Sequence, residues 1–396
     1  MTQLEEVFVF DAVRTRTGRF GGALAGVRPD DMAASVLQAL AARSPALDLG
    51  QVDDVVLGNA NGAGEENRNV ARMALLLAGY PTSVPGATVN RLCGSGLEAV
   101  VQASRAIAVG DAEVVVAGGV ESMTRAPWVV EKPSRAFPHS NPTMYSTSLG
   151  WRFPNPEMPA DWRISLGDSA ELLAARYRIS REAQDEFALA SHRKADAAWT
   201  RGDFDAEVVG LAGVQLDRDE PIRADASLAA LARLTPSFRP DGSVTSGNAS
   251  PLNDGGSALL LGTARSGSVI GREPIARIAS RAVSGVDPDV FGVGPVEAAE
   301  LALKRAGIGW ADLAQVELNE AFASQSLACL SLWPELDPEI VNVSGGAIAL
   351  GHALGSSGSR VLTTLVHNLR RAGGGWGLAT LCIGMGQGIA LVVEVQ

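Results

Sequence analysis

The sequence predicts an α/β protein with a parallel sheet laid out in two similar halves, and three observations carry that prediction. Short apolar runs of strand length alternate with Ala/Leu-rich stretches of helical spacing, the trace that strand–helix–strand units leave in a chain. The order of elements near the amino terminus returns near the carboxyl terminus. At 396 residues and 46% hydrophobic content, the chain can bury more than one core, so two or three subdomains are expected.

Residues 7–15 (VFVFDAVRT) are an apolar run ending in Asp and Arg, as suits a buried strand entering a loop. Asp30 and Asp31 stand just ahead of MAASVLQALAAR, where acids favour the start of a helix. VDDVVLGN (52–59) is the next strand, 68–78 and 96–109 are helices, and AEVVVAGGVESM (112–123) is a strand running into Gly118 and Gly119. Later, AQVELN (314–319) repeats VDDVVLGN, 345–369 repeats the Gly-rich turn and helix at 93–109, and 377–395 repeats AEVVVAGG. This duplication is one of order rather than identity. Between about 121 and 248 the texture changes to Pro clusters, Trp128, Trp151, Trp162 and long amphipathic stretches, an insertion of the kind that covers ligands. The expected division is 1–117 with 249–271, an inserted 118–248, and 272–396.

A net charge of −11 and a pI near 5 argue against a surface that condenses on nucleic acid or anionic lipid. They do not exclude a phosphorylated ligand held by a few arginines or helix N-termini. No long uncharged apolar run is present, and Met1 to Glu6 carry acids where an export signal has basic residues, so a cytoplasmic protein without a presequence is expected. Three cysteines, two of them in Gly-rich turns, point to reduced thiols rather than a disulfide framework.

Three glycine-rich stretches carry the chemistry: NRLCGSG around Cys93, GGAIALGHALGSSGSR around His352, and CIGMGQG around Cys382. A buried cysteine is more often core than nucleophile, but Cys93 is followed by Gly94, Ser95 and Gly96 at the opening of a helix. There, N–H groups and the helix dipole are expected to lower its pKa toward thiolate, the logic of a nucleophile elbow. A neutral His352 beside it can take a proton and later face an oxyanion. Cys382, with Gly384, Gly386 and Gly388 after it, is either a core cysteine or a second thiol acting as acid and base at carbon. Asn319, in ELNEAFASQ, is either a helix cap or an amide that orients a water toward a thioester oxygen. Cys329 is expected in the core, and His139, His192 and His367 on the surface or in packing. No HExxH, CxxC, Walker A or dinucleotide fingerprint occurs, so no metal, ATP or NAD is expected.

As a set, NRLCGSG, GGVESMTRAP, GNASPLNDG, NEAFA, GGAIALGHALGSSG and CIGMGQG resemble the thiolase family in order and spacing, over the whole chain. The resemblance implies the thiolase fold, two βαβαβαββ-type halves in a five-layered αβαβα core with a loop domain, assembled as a homodimer or homotetramer. It implies CoA as co-substrate with no permanently bound cofactor. Cys93 would attack the keto carbonyl of a 3-ketoacyl-CoA with His352 activating it, and Cys382 would protonate the departing acetyl-CoA enolate. Asn319 (through water) with His352 would form one oxyanion hole, and the N–H groups of Cys93 and Gly384 the other. Arg223, Phe238 and Ser250 match CoA-contacting positions.

AVRTRTGRFGGALAGVRPDD, GAGEENRNVARMALLLAG and TSLGWRFPNPEMP look most like the branch acting on β-ketoadipyl-CoA. A substrate ending in a carboxylate asks for a cation, and Arg152 and Arg163 are candidates. The chain departs from the family pattern at Ser165 and Leu166, where short-chain biosynthetic members have His and Met, at Ala353 where Pro is usual, and at Pro251 where Gly is usual. The alternatives are an acetoacetyl-CoA thiolase and a non-catalytic acyl-CoA-binding relative. The latter should have lost a reacting residue, and Cys93, His352 and Cys382 are all present.

Overall fold

A computed structural model describes residues 4–396; Met1 to Gln3, part of the acidic start, lie outside it. In chain order the first half is β1 (Val7–Thr15), β2 (Gly18–Arg19), α1 (Pro29–Arg43), β3 (Asp54–Gly58), α2 (Val70–Leu77), β4 (Gly86–Val89), α3 (Ser95–Val109) and β5 (Val114–Ser122). An excursion follows through β6 (Trp128–Val130), β7 (Met144–Ser146), α4 (Leu166–Arg176), α5 (Arg181–Arg201), β8 (Val208–Val209) and α6 (Leu228–Leu231). The chain returns with β9 (Asn253–Gly262) and α7 (Gly267–Ile270). The second half is β10 (Ala276–Gly285), α8 (Gly294–Ala306), β11 (Leu313–Leu318), α9 (Ala323–Leu332), α10 (Ala347–Leu350), α11 (Leu354–Ala372), β12 (Gly375–Ile383) and β13 (Gln387–Val395).

Three apolar clusters define the layers. One packs α1 and α2 on the first half's strands, through residues such as Met32, Leu37, Leu75 and Leu260. A second joins both halves through Leu97, Val101, Leu362, Leu365, Leu259 and Leu391, with α3 and α11 between the strands. The third sets α8 and α9 on the second half's strands, with Ala299, Leu303, Trp333 and Val392. Five layers result, helix, sheet, helix, sheet, helix. Among the described residues no helix is long and apolar enough to cross a membrane.

The strand order is β11-β12-β13-β10-β1-β9-β5-β3-β4, with the halves joined where β1 runs antiparallel to β10. The parallel sheet expected from the strand–helix alternation is found at the two ends of this order, and the pairings between those ends are antiparallel. β3 is parallel to β4 and β5, and β11 to β12, but β9, β13, β1 and β10 pair antiparallel to their neighbours. The 377–395 stretch is therefore a hairpin of two strands, since a tight turn can join only antiparallel neighbours.

The central helices touch through glycine. A Cβ on Gly96 of α3 would lie 2.8 Å from the Gly355 carbonyl oxygen and 2.7 Å from Ser359 Oγ of α11, so any larger residue would push the two helix starts apart. That crossing brings the turn before α3 and the turn before α11 to one place.

Candidate active site

Cys93 sits on a single 3-10 turn, Leu92–Gly94, immediately before α3. Leu92 holds φ at +47°, a left-handed conformation unusual for a leucine. Three contacts keep it there: its N–H donates to Asn90 Oδ1 at 2.8 Å, its carbonyl accepts from Ser95 Oγ at 2.6 Å, and Ser95 Oγ accepts from the Arg91 N–H at 2.9 Å. The sharp turn presents a thiol that is 6% exposed. The N–H groups of Gly384 and of Cys93 itself lie near its sulfur and pull its pKa down.

The expectation that the helix start would favour thiolate is overturned. Burial outweighs those donors and pushes the Cys93 thiol up to about 11, with Glu121 adding to the rise. The resting nucleophile is a protonated thiol and needs a base.

His352 precedes α11 and lines the same cavity as Cys93. Its N–H donates to Asn253 Oδ1 at 2.8 Å, and its ring Nδ1 lies 2.6 Å from Ser357 Oγ. With the Ser357 hydroxyl donating to the Ala353 carbonyl at 3.0 Å, the tautomer that satisfies both contacts has Nδ1–H donating to Ser357 Oγ. In that tautomer Nε2 is an acceptor, and it is buried and without a protein partner among the described residues. Burial, followed by the Arg360 charge, holds the imidazole down to about 3, so it is neutral and ready to accept a proton. Ser357, five residues on in the GSSGSR run, was not singled out from sequence; its position on the first turn of α11 is the signal that could have found it. Ala353 has φ −76°, a value that proline imposes, so its presence leaves the turn's shape intact.

Cys382 lies on β12, 1% exposed, packed with Phe291, Ala321, Leu166 and Phe322. Burial raises its thiol, and Cys93 is close enough to raise it further. Cys329 is a core residue whose thiol donates to the Gly292 carbonyl at 3.2 Å. Asn319 is fully buried at the end of β11, and neither atom of its amide has a partner among the described residues. A helix-capping role would have filled its oxygen. A buried, unsatisfied amide is rare and marks a place where a water or ligand atom belongs. His192 and His367 are buried in packing, with His192 Nδ1 accepting the Arg223 N–H at 3.2 Å and His367 Nε2 lying 2.9 Å from the Ala12 carbonyl oxygen.

The shared cavity encloses about 490 Å³, and its wall includes Cys93, His352, Gly384, Phe238, Ser250 and Pro251. Phe238 stacks edge-on to Phe322, and Ser250 is pinned by its N–H and Oγ to the Ala321 carbonyl, each at 3.0 Å. Arg223 is not on this wall. It is exposed and lines a neighbouring hollow of about 110 Å³ that meets the cavity at Pro251. The two candidate lid arginines also separate: Arg152 is on the cavity wall and Arg163 is not.

The family model for the thiolase N-terminal domain matches residues 7–265, and that for the thiolase C-terminal domain matches residues 272–395. A β-ketoadipyl-CoA thiolase of Pseudomonas putida is 49% identical, over 99% of this chain and 100% of its own length. The 3-oxoadipyl-CoA/3-oxo-5,6-dehydrosuberyl-CoA thiolase of Escherichia coli K12 is 47% identical, over 99% and 100%. Among solved structures, human mitochondrial 3-ketoacyl-CoA thiolase in complex with CoA superposes with a TM-score of 0.93 at 38% identity, covering 100% of this chain and 99% of that one.

Proposed function

The chain belongs to the thiolase family of CoA-dependent acyltransferases, and from that premise we propose that it cleaves 3-oxoadipyl-CoA with CoA to give acetyl-CoA and succinyl-CoA through an acyl-Cys93 intermediate. The substrate is supported by relatives that carry β-ketoadipyl-CoA or 3-oxoadipyl-CoA in their names along the full length of the chain. The observation that carries the mechanism is the free Nε2 of His352, held as an acceptor by Ser357 on the cavity that also holds the Cys93 thiol.

Nε2 takes the Cys93 proton as sulfur bonds to the C3 carbonyl carbon of the substrate. The alkoxide so formed meets the N–H groups of Cys93 and Gly384, which already lie near the sulfur. As the alkoxide collapses, the C2–C3 bond breaks and its electron pair leaves with the acetyl-CoA enolate. The Asn319 amide, through a water, and His352 stabilise the enolate oxygen, and the Cys382 thiol gives its proton to C2. A second CoA thiol then attacks the acyl group, returning a proton to Cys382, and the Cys93 thiolate released takes back the proton held by His352. CoA would lie with its pantetheine arm past Phe238 and Ser250 and its nucleotide near Arg223 in the adjoining hollow.

The enzyme is also proposed to work in the cytoplasm as a homodimer or homotetramer. β4 ends the strand order, and Trp128, Phe137, Met144 and Tyr145 are exposed around the β6–β7 hairpin, features that suit burial against further copies.

Comparing thiolysis of 3-oxoadipyl-CoA, acetoacetyl-CoA and 3-oxohexanoyl-CoA tests the substrate assignment, with Cys93→Ala as blank. At least about tenfold higher kcat/KM for oxoadipyl-CoA is expected, the scale of one charge-assisted contact. Equal or better use of acetoacetyl-CoA would move the enzyme to short-chain metabolism.

A further inference from the structure

We propose that Arg152 forms a subsite, in the wall of the Cys93 cavity, that grips the terminal carboxylate of the acyl chain. The proposal rests on the substrate reading above and deepens it by naming the side chain that reads the charge.

Most of the cavity wall is apolar, with Leu92, Met123, Leu149, Phe291, Phe322 and Leu354 among its residues. Among the described residues that line it, Arg152 is the sole lysine or arginine. It is half-buried and makes one hydrogen bond, from Nη2 to the Asn61 carbonyl at 3.3 Å. No Asp or Glu among the described residues forms an ion pair with it.

The chain carries 44 acids against 33 Lys and Arg, yet none of those acids answers Arg152 from the cavity wall. The one carboxylate on the cavity wall, Glu121, is committed elsewhere. It accepts from the N–H groups of Ala60 at 2.8 Å, Asn61 at 3.2 Å and Gly355 at 2.9 Å, and from Asn59 Nδ2 at 3.2 Å. A guanidinium facing an apolar cavity without a counter-charge is held in an unfavourable place. The Asn61 carbonyl takes one of the two Nη2 hydrogens, so Nε–H, Nη1 and the second Nη2 hydrogen are left for a carboxylate, which a guanidinium holds along an edge that includes Nη2.

The neighbouring residue sets its position relative to the reaction centre. A Cβ on Gly384 would stand 3.0 Å from Trp151 Cη2, so Trp151 lies against a residue that lines the cavity beside Cys93. Trp151 Nε1 donates to the Ile164 carbonyl at 3.2 Å, tying this loop to the approach to α4. Arg152 follows Trp151 and lines the same cavity as Cys93, which Arg163 does not, so it is the arginine within that cavity available to a chain held as a thioester on Cys93.

The test measures kcat/KM for 3-oxoadipyl-CoA and for 3-oxohexanoyl-CoA, its neutral counterpart of equal length, in the wild type, Arg152→Gln and Arg152→Lys. Both substrates are turned over by the same sample, so any loss of folded enzyme cancels in their ratio. The oxoadipyl-to-oxohexanoyl ratio should fall roughly 10- to 150-fold in Arg152→Gln, the span of a charged hydrogen bond, and by less in Arg152→Lys. A wild type that prefers oxoadipyl-CoA together with an Arg152→Gln variant that keeps the same ratio would overturn the role of Arg152 alone, as would an equal fall for both substrates, the signature of a contact to CoA. A wild type with no preference would overturn the substrate reading and this subsite with it.

Discussion

The two halves of the molecule follow one plan and diverge most where each passes from its inner parallel strand to the antiparallel strand beside it. In the second half β12 reaches β13 through Gly384, Met385 and Gly386, with Met385 at φ +65° and Gly386 at +77°. In the first half the same passage, from β5 to β9, takes residues 123–252. The short turn can do one thing, which is to hold a main-chain N–H at a fixed place, and it sets Gly384 on the wall of the cavity that holds Cys93. The long one supplies Arg152, Trp151, Phe238 and Ser250 to the cavity wall. The short passage leaves room only for main-chain contact, whereas the long one has the length to bring several side chains to the cavity.

The same comparison runs through matched positions. The turn before α3 carries Cys93 and the turn before α11 carries His352. Asn59 ends β3 as Asn319 ends β11, yet Asn59 is fully engaged, donating to the Val120 carbonyl at 2.9 Å and to Glu121, and accepting from the Gly62 N–H. Strand pairing sets Gly58 beside Gly119 and Leu318 beside Thr380, so Glu121, two residues past Gly119, answers to Cys382, two past Thr380. In the first half these positions are filled by hydrogen bonds within the fold, and in the second half the Asn319 amide is left without a partner among the described residues.

That division can be broken by experiment. Asn319→Ala should lower kcat by about 10²–10³, as loss of an oxyanion donor does, with little change in stability because the amide has no bond to lose. Asn59→Ala should instead lower the unfolding free energy by about 1–3 kcal/mol, seen in denaturant titration. If Asn319→Ala unfolds as easily as Asn59→Ala while turning over normally, both amides are structural and the contrast fails. A smaller effect is expected at Ser357, which acts through His352. Ser357→Ala should reduce kcat on the order of tenfold, in line with other hydrogen bonds that fix a histidine tautomer, and leave KM near its original value. An increase confined to KM would contradict that role. The mildest probe needs no mutation. Since only thiolate is alkylated and Cys93 titrates near 11, iodoacetamide modification of Cys93 in the free enzyme should rise about tenfold per pH unit through pH 9. A plateau below pH 8 would restore the thiolate expected from the helix start.

That last point shows where the sequence stops being readable. Glycines beside Cys93, His352 and Cys382 announce close backbone approach, because local backbone freedom is written in residue type. The duplication was legible for the same reason, since element order survives when identity does not. The resting state of Cys93 was not legible. Its helix start is local and argues for thiolate, whereas the desolvation that wins is set by residues distant in sequence. Arg152 and Arg163 could not be separated by composition, since which of two loop arginines faces a cavity depends on how the loop docks, here through Trp151. Arg223 likewise could be matched to a motif but not assigned to one hollow rather than its neighbour.

The protonated state of the empty enzyme's nucleophile has a consequence for its survival. Peroxides attack thiolates, and the first oxidised product, sulfenic acid, leads on to irreversible forms. A sulfur that is 6% exposed and titrates near 11 offers oxidants almost no thiolate between turnovers. In the proposed mechanism the thiolate arises as sulfur bonds to the substrate carbonyl, which separates the enzyme's reactivity from its vulnerability to oxidation.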